Sequence, residues 1–509
     1  VPLPTDPAAP WPPVAWRPVA ATIDEAATWW EGDETRLAAL YGGPTPSPSA
    51  RPRRGLERIR FWARRADDQN TGRTRLHVPL PADLATTSAD LLFGEKPAIT
   101  IPDAHQTTAA PDATATEDRL AELDETDGIS STLLEAAEVC SAMGGVYLRT
   151  VWDTQVADTP MLDVVHADRA VPEFRWGRLI AVTLWRTVTH DRAAAVVWRH
   201  LERHEPGVIF HGLFEGSPER LGRPIGLDAH PDTAGLPEVL ELPAALAGQL
   251  AVGYVPNVRP NRRHRGVPVG RADTAGTEAL LDALDETWSS WMRDIRLGKA
   301  RIIVPDEYLD RAGRGRGARA DLDAEVFTPL AIDPTSADRA GITLTQFTLR
   351  TAEHAQTARA LVEQIVTTAG YAPATFGLDT GGGEATATEV RAREARSLRT
   401  TMRKQAYWRS VVADRLEQAL VLDREIWGRP TVPFRPRVDF ADGLPDDPHR
   451  SAETLDLLVR AQAVSIETRV RLAQPGLDEA EVAAEVARIL DETGMAVSDP
   501  TSGLSGLPG

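Results

Sequence analysis

A chain of 509 residues, 42% of them hydrophobic and with a formal net charge of -18, is long enough to bury more than one core. It is too acidic to grip nucleic acid by its phosphates, which takes a surplus of Lys and Arg. Its one cysteine, Cys140, excludes an internal disulfide framework and a cysteine zinc site and fits folding in a reducing compartment. No apolar run approaches the ~18 residues that span a bilayer, so no membrane partner is expected.

Residues 1–20 lack the basic start and apolar stretch of a secretory signal. Their prolines predict an extended arm that lies on another surface or stays mobile. Ile23, Ala26, Ala27, Trp30, Leu37 and Leu40 recur at near-helical spacing and predict a helix over 23–41, stopped by Gly42, Gly43 and Pro44. A basic stretch follows, with Arg51, Arg53, Arg54, Arg58, Arg60, Arg64 and Arg65 around Phe61 and Trp62. Glu57, Asp67 and Asp68 dilute it, so it reads as a solvated or subunit-facing surface rather than a nucleic-acid patch.

In LHVPLPADLATTSADLLFGEKPAI, residues 76–99, Pro79 and Pro81 open a helix that Gly94 and Pro97 close, and a short strand at 98–101 follows. Residues 117–143 predict two helices broken at Asp127-Gly128. Cys140 falls there among Leu133, Leu134, Ala137 and Val139, as a packed thiol rather than a nucleophile. From 145 to 213 the runs are rich in Val, Trp, Ile and Thr and are punctuated at Asp158-Thr159-Pro160, Trp176-Gly177 and Glu205-Pro206-Gly207, which predicts one antiparallel meander. Residues 216–270 read as irregular and include the basic segment Arg259, Arg262, Arg263, His264 and Arg265.

Helical spacing returns at 272. Leu281, Leu284, Trp288, Trp291 and Ile295 step by 3, 4, 3 and 4, the spacing of an a/d seam, in a helix running to Lys299. Residues 301–350 are strand- and loop-like around a basic tip with Arg311, Arg314, Arg316 and Arg319. A second helix at 351–370 carries Leu361, Val362, Ile365 and Val366 on one face. The loop after it holds Asp379, Thr380, Gly381, Gly382, Gly383 and Glu384. Residues 386–428 then contain no proline and glycine only at Gly428. Such a helix would reach roughly 60 Å, a scaffold length. A strand at 435–442 and helices at 450–463, 466–473 and 478–493 complete the folded part, and the tail to 509 reads as disordered.

Enzymatic chemistry finds no motif. Gly298-Lys299 is followed by Ala300 and lacks the upstream glycine of a phosphate loop, and neither H-E-x-x-H nor G-x-S-x-G occurs. His200 and His204 fall in a strand pattern, a poor frame for a metal pair. Three glycines before a helix would suit a phosphate, but no Lys, Ser or Thr follows in register and Glu384 would repel the anion. No cofactor, metal or catalytic residue is expected.

The stretches 76–99, 279–305, 351–378, 381–412 and 451–492, taken in that order, resemble the portal family of tailed double-stranded-DNA bacteriophages, actinobacterial-phage portals in particular. The resemblance implies an α+β fold with portal architecture. Its parts are a wing over 1–270, stem helices at 272–299 and 351–370, a clip at 300–350, a tunnel loop at 371–387, a spoke helix and strand at 388–442, and a crown with tail at 443–509. It implies a dodecameric homo-oligomer at one capsid vertex of the virion, assembled in the host cytoplasm. The partners it implies are the terminase large subunit, a head-completion adaptor, the tail, and the major capsid and scaffolding proteins. Double-stranded DNA would be packaged and later ejected through the ring without tight binding.

On that reading Asp379–Glu384 face the DNA channel and Arg311, Arg314, Arg316 and Arg319 meet terminase or adaptor. Leu281, Leu284, Trp288, Trp291 and Ile295 pack the stem. Arg391, Arg393, Arg396 and Arg399, with Arg403 and Lys404 beyond them, oppose acidic groups of the next subunit. The alternatives are another connector ring component, which would be smaller and lack a long helix behind a glycine loop, and a packaging ATPase or nuclease, which would need the missing nucleotide or metal motif.

Overall fold

The computed structural model describes residues 3–41, 76–102, 111–191, 195–297, 301–303, 310–311, 318–319, 343–345, 350–378, 387–440, 448–461, 463–474 and 479–493. The chain divides into two compact units, Val1–Gly383 with Ala392–Ala441, and Glu384–Arg391 with Asp442–Gly509.

In the first unit Pro18 starts α1 (Arg17–Glu31), six residues before the helix expected from spacing alone, since proline is at ease in a first turn. Gly32, at φ 66, ends it and returns its N–H to Thr28 O. The expected single helix is therefore two, α1 and α2 (Glu34–Tyr41). The helices α3 (Leu80–Phe93), α4 (Pro111–Asp127) and α5 (Ile129–Met143) follow, the last two parted at Gly128 as their punctuation predicts.

The predicted meander is two sheets. In one, β2 (Gly145–Val151) lies between β3 (Met161–His166) and β10 (Val252–Pro256). In the other, β4 (Ala170–Arg175), β5 (Arg178–Asp191), β6 (Val196–Glu205), β7 (Val208–Ser217) and β8 (Arg220–Ile225) run in sequence order, with β9 (Val239–Glu241) also on β7. The 3-10 turn Ala167–Arg169 carries the chain from one sheet to the other. The strands β8, β9 and β10 lie in a stretch that reads as irregular because prolines interrupt its pattern. The N-terminal arm lies on its own chain: Pro10 bridges Arg220, Trp11 N donates to Glu219 O at 3.0 Å, and Trp11 is buried with Leu201, Phe214 and Leu221.

β1 (Ala98–Thr100) finds its partner far along the chain in β15 (Arg437–Asp439), with Ile99 opposite Val438. The helix α8 (Ala387–Trp427) is one unbroken element of 41 residues. Its second half puts Trp408, Val412, Leu416 and Leu420 into the largest core, against Phe93, Leu133 and Tyr147 among others. A separate core joins Trp29, Leu37, Leu80 and Leu84 to α6 (Glu278–Leu297) and α7 (Thr351–Ala369) through Leu281, Leu284, Ile365 and Val366. In the second unit α9 (Pro448–Arg460), α10 (Ile466–Ala473) and α11 (Glu479–Glu492) match the three expected helices, and Ser465 caps α10 by accepting from Thr468 N at 3.2 Å. No described helix is long and apolar enough to cross a membrane.

Candidate functional site

α6 and α7 form an antiparallel pair. At one end Leu281 and Leu284 are fully buried against α7. At the other, Asp294 Oδ2 accepts from Arg350 and meets His354 Nε2, each at 3.0 Å. Trp288 packs beside Trp291, and Trp291 stacks on His354 with ring planes 10° apart. The seam read from the spacing thus closes fully only over its first turns. Trp288 and Trp291 stay half-buried, and Ile295 is 41% exposed.

Beyond the pair, β11 (Arg301–Ile303) and β14 (Thr343–Thr345) zip antiparallel with Ile302 opposite Leu344, so the chain between them leaves and returns through one neck. Within it, β12 (Asp310–Arg311) pairs with β13 (Ala318–Arg319), which puts the backbones of Arg311 and Arg319 on facing strands of a hairpin. Arg314 and Arg316 lie outside the described residues, as do Asp379, Thr380, Gly381, Gly382, Gly383 and Glu384 and the basic stretch Arg51–Arg65.

Where the pair meets the long helix, a buried polar joint replaces the apolar core. Lys404 Nζ donates to Asp273 Oδ2 at 2.5 Å, to Ser88 Oγ at 2.6 Å and to Tyr371 Oη at 2.8 Å. Asp273 also accepts from Ser141 Oγ at 2.6 Å, Tyr371 Oη at 2.7 Å and Asn257 Nδ2 at 2.8 Å. Lys404 and Asp273 are 1% and 2% exposed. Burial opposes the charge on Asp273, but the Lys404 ammonium and these hydrogen bonds outweigh it and hold the carboxyl below its ordinary range. Burial, with the Asp273 charge behind it, pushes the Tyr371 phenol far up, so it remains a donor.

The backbone is shaped to fit this joint. Gly370, at φ 109, ends α7, and its O accepts from Thr400 Oγ1 of α8 at 2.6 Å. The next turn is pinned where Ala372 N donates to Ser397 Oγ at 2.9 Å. On the facing side Gly144, at φ 83, comes so close to the Arg271–Ala272 backbone that a Cβ would meet Ala272 N at 2.7 Å. A second clasp lies on α6, where Asp285 accepts from Val78 N at 2.8 Å and meets His77 Nδ1 at 3.0 Å and the Tyr41 hydroxyl.

This corrects one expectation. Lys404, grouped from the sequence with the surface arginines, points inward. Along α8 the buried positions Ser397, Thr401, Lys404 and Trp408 step by four, three and four, so Lys404 is on the inner stripe. That spacing was a legible signal. Asp273, Tyr371, Ser88, Ser141 and Asn257 carried none, because they converge from five separate elements. Arg393, Arg396 and Arg399 are exposed on α8, and the side chain of Arg391 lies outside the described residues.

Nothing at the other sites singled out prepares a reaction. His200 and His204 are four residues apart on one strand, about 13 Å, too far to share a metal ion. His200 instead stacks on His211, with 3.2 Å between ring nitrogens, and His204 Nε2 meets Glu202 Oε1 at 2.5 Å. Cys140 is buried with its thiol 3.5 Å from Val255 O, and burial pushes its ionisation far up.

Residues 249–499 match the family described as phage portal protein, SPP1 Gp6-like. Over this stretch, just under half of its length, the chain is similar to a phage portal family whose members are structural virion components. The match begins just before β10 and takes in the helix pair, the insert at its end, α8 and α9–α11. Among solved structures the chain is similar to one in the virion of a native gene transfer agent particle, with 13% identity, a TM-score of 0.37, and 78% of this chain and 89% of that chain covered. It is similar in the same measure to one in the neck of an empty gene transfer agent particle computed with C6 symmetry, of which 90% is covered. No curated protein matches the chain.

Proposed function

We propose that copies of this chain close into a dodecameric ring at one capsid vertex, through which double-stranded DNA enters during packaging and leaves at ejection. One observation carries the reading: within residues 249–499 two antiparallel helices carry a zipped insert at one end and are joined at the other to a 41-residue helix through a buried salt bridge. This is a mechanical design. α6 and α7 make a stem, the insert at its end a clip, and α8 a strut. The half-exposed Trp288, Trp291 and Ile295 extend the seam beyond what the described residues cover and would pack against a neighbouring stem.

The loop Asp379–Glu384 precedes α8 in sequence and would present glycine and carboxylate, not cations, to passing DNA, so that phosphates are not held. The clip arginines Arg311, Arg314, Arg316 and Arg319 would meet an acidic face of the terminase large subunit during packaging and of a head-completion adaptor afterwards. Capsid and scaffolding proteins would contact the wing and crown, and the exposed arginines of α8 would lie between subunits.

The purified chain, imaged by negative-stain microscopy down its axis, should show annular particles with a central hole. Their mass by native mass spectrometry gives the copy number. Particles without a hole, or a monomer at every concentration, would overturn the reading.

A further inference from the structure

The first half of α8 displays Arg396, Arg399 and Arg403, which step by three and four and so share one exposed face. None of the three has an acidic partner among the described residues. Arg262 and Arg271 continue this face on the body: Arg262 is exposed, and the half-buried Arg271 has an Nε with no hydrogen-bond partner. Burial first, then the neighbouring charges of Arg262 and Arg403, hold Arg271 below the ordinary guanidinium range. The carboxylate that opposes them, Asp273, is already committed to Lys404. Unmatched cations gathered against a partly desolvated arginine call for an anion from outside the chain.

The complementary face is on α4. Asp118, Glu122 and Glu125 step by four and three along its exposed side. Its one cation, Arg119, is turned inward, holds Asp423 through two hydrogen bonds of 3.0 and 2.8 Å and also meets Glu122 at 2.7 Å, which leaves Asp118 and Glu125 as the free charges of that side among the described residues. That clasp fixes α4 at the far end of α8. At ~1.5 Å per residue about 30 Å of helix separates Asp423 from Arg403, and about 40 Å separates it from Arg396. A Debye length is about 8 Å at physiological salt, so the two faces are invisible to each other within one chain. They can meet only between chains, as unlike faces in head-to-tail contact.

We propose that the arginine face of α8, Arg396, Arg399 and Arg403 with Arg262 and Arg271, receives the acidic face of α4 from a second copy of this chain. The contact rests on the ring reading and names the two surfaces that set its register.

Two charge-reversal variants test it: Arg396→Glu with Arg399→Glu and Arg403→Glu, and Asp118→Lys with Glu125→Lys. Each is checked for wild-type thermal unfolding, and assembly is read by mass photometry and negative-stain imaging. Each variant alone should need at least tenfold more protein for half-assembly, while an equimolar mixture restores rings, because every contact in an alternating ring then joins opposite charges. Rings that persist in either variant alone, or a mixture that fails to rescue two well-folded variants, overturn the contact and leave the ring reading standing. DNA retention lost in the arginine variant with rings unchanged would assign that face to DNA and equally overturn it. A wild-type chain that never assembles would overturn the ring reading itself.

Discussion

Along α8, the turns from Trp408 to Leu420 bury Trp408, Val412, Leu416 and Leu420 in the largest core, whereas those from Ser397 to Lys404 bury Ser397, Thr400, Thr401 and Lys404. One helix is held by two kinds of force. Apolar packing is non-directional and accepts any shape that fills the space. The polar half meets its partners in one geometry only, since each hydrogen bond has a direction and a buried charge without its mate is costly. The apolar half therefore supplies stability, and the polar half sets the register of α8 against the α6–α7 pair. On the ring reading proposed above both are of use, because many copies would have to present the same angle between α8 and the helix pair.

The largest effect should come from breaking the polar half. Asp273→Ala leaves the Lys404 ammonium buried without a carboxylate and strips acceptors from Ser141, Tyr371 and Asn257. The expected loss is about 3–5 kcal/mol, read from the denaturant midpoint. A loss below about 1 kcal/mol would mean that the joint adds little beyond packing. Replacing both charges, with Lys404→Met and Asp273→Leu, should recover much of that loss, since no charge is then stranded. If this double variant also assembles into normal rings, the register argument fails.

The apolar half should respond differently. Leu420→Met, at a position with no exposure, conserves volume and should cost less than about 1.5 kcal/mol by the same measurement. A loss as large as that of Asp273→Ala would erase the contrast between the halves.

Acid should separate the β4–β8 sheet from the joint. Burial, with the neighbouring His211, pushes His200 down from an ordinary 6.5 to about 4. The unfolded chain thus takes up a proton there that the folded chain refuses. The stability this contributes is complete above pH 6.5 and is lost as the pH falls towards 4, with a slope of up to about 1.4 kcal/mol per pH unit for one proton. The depressed carboxyl of Asp273 keeps its contribution through that window and loses it only below the ordinary value of 3.8. Thermal unfolding followed from pH 7.5 to 4.5 should therefore show a decline that His200→Phe flattens and Asp273→Ala leaves unchanged in slope.

The smallest effect is expected at the β4–β5 turn, remote from both halves. Trp176, at φ 52 and 94% exposed, occupies a left-handed position that an indole tolerates poorly. Trp176→Asn should raise stability by about 0.5–1 kcal/mol in thermal unfolding and change neither half's response.

What the sequence alone determined is what local physics controls. Proline and glycine punctuation marked α3 and the break at Gly128, the seam Leu281–Ile295 marked α6, and forty proline-free residues marked α8. Each of these is set by neighbours within a turn or two, so spacing suffices. The tertiary structure decided whatever depends on residues meeting from afar. It split one expected meander into two sheets, because β10 arrives from a stretch with no pattern of its own to take the edge beside β2. It paired β1 with β15 across most of the chain. It also turned Lys404 from an apparent surface cation into the centre of a joint, since the carboxylate that makes its burial affordable stands at Asp273 and only the fold brings the two together.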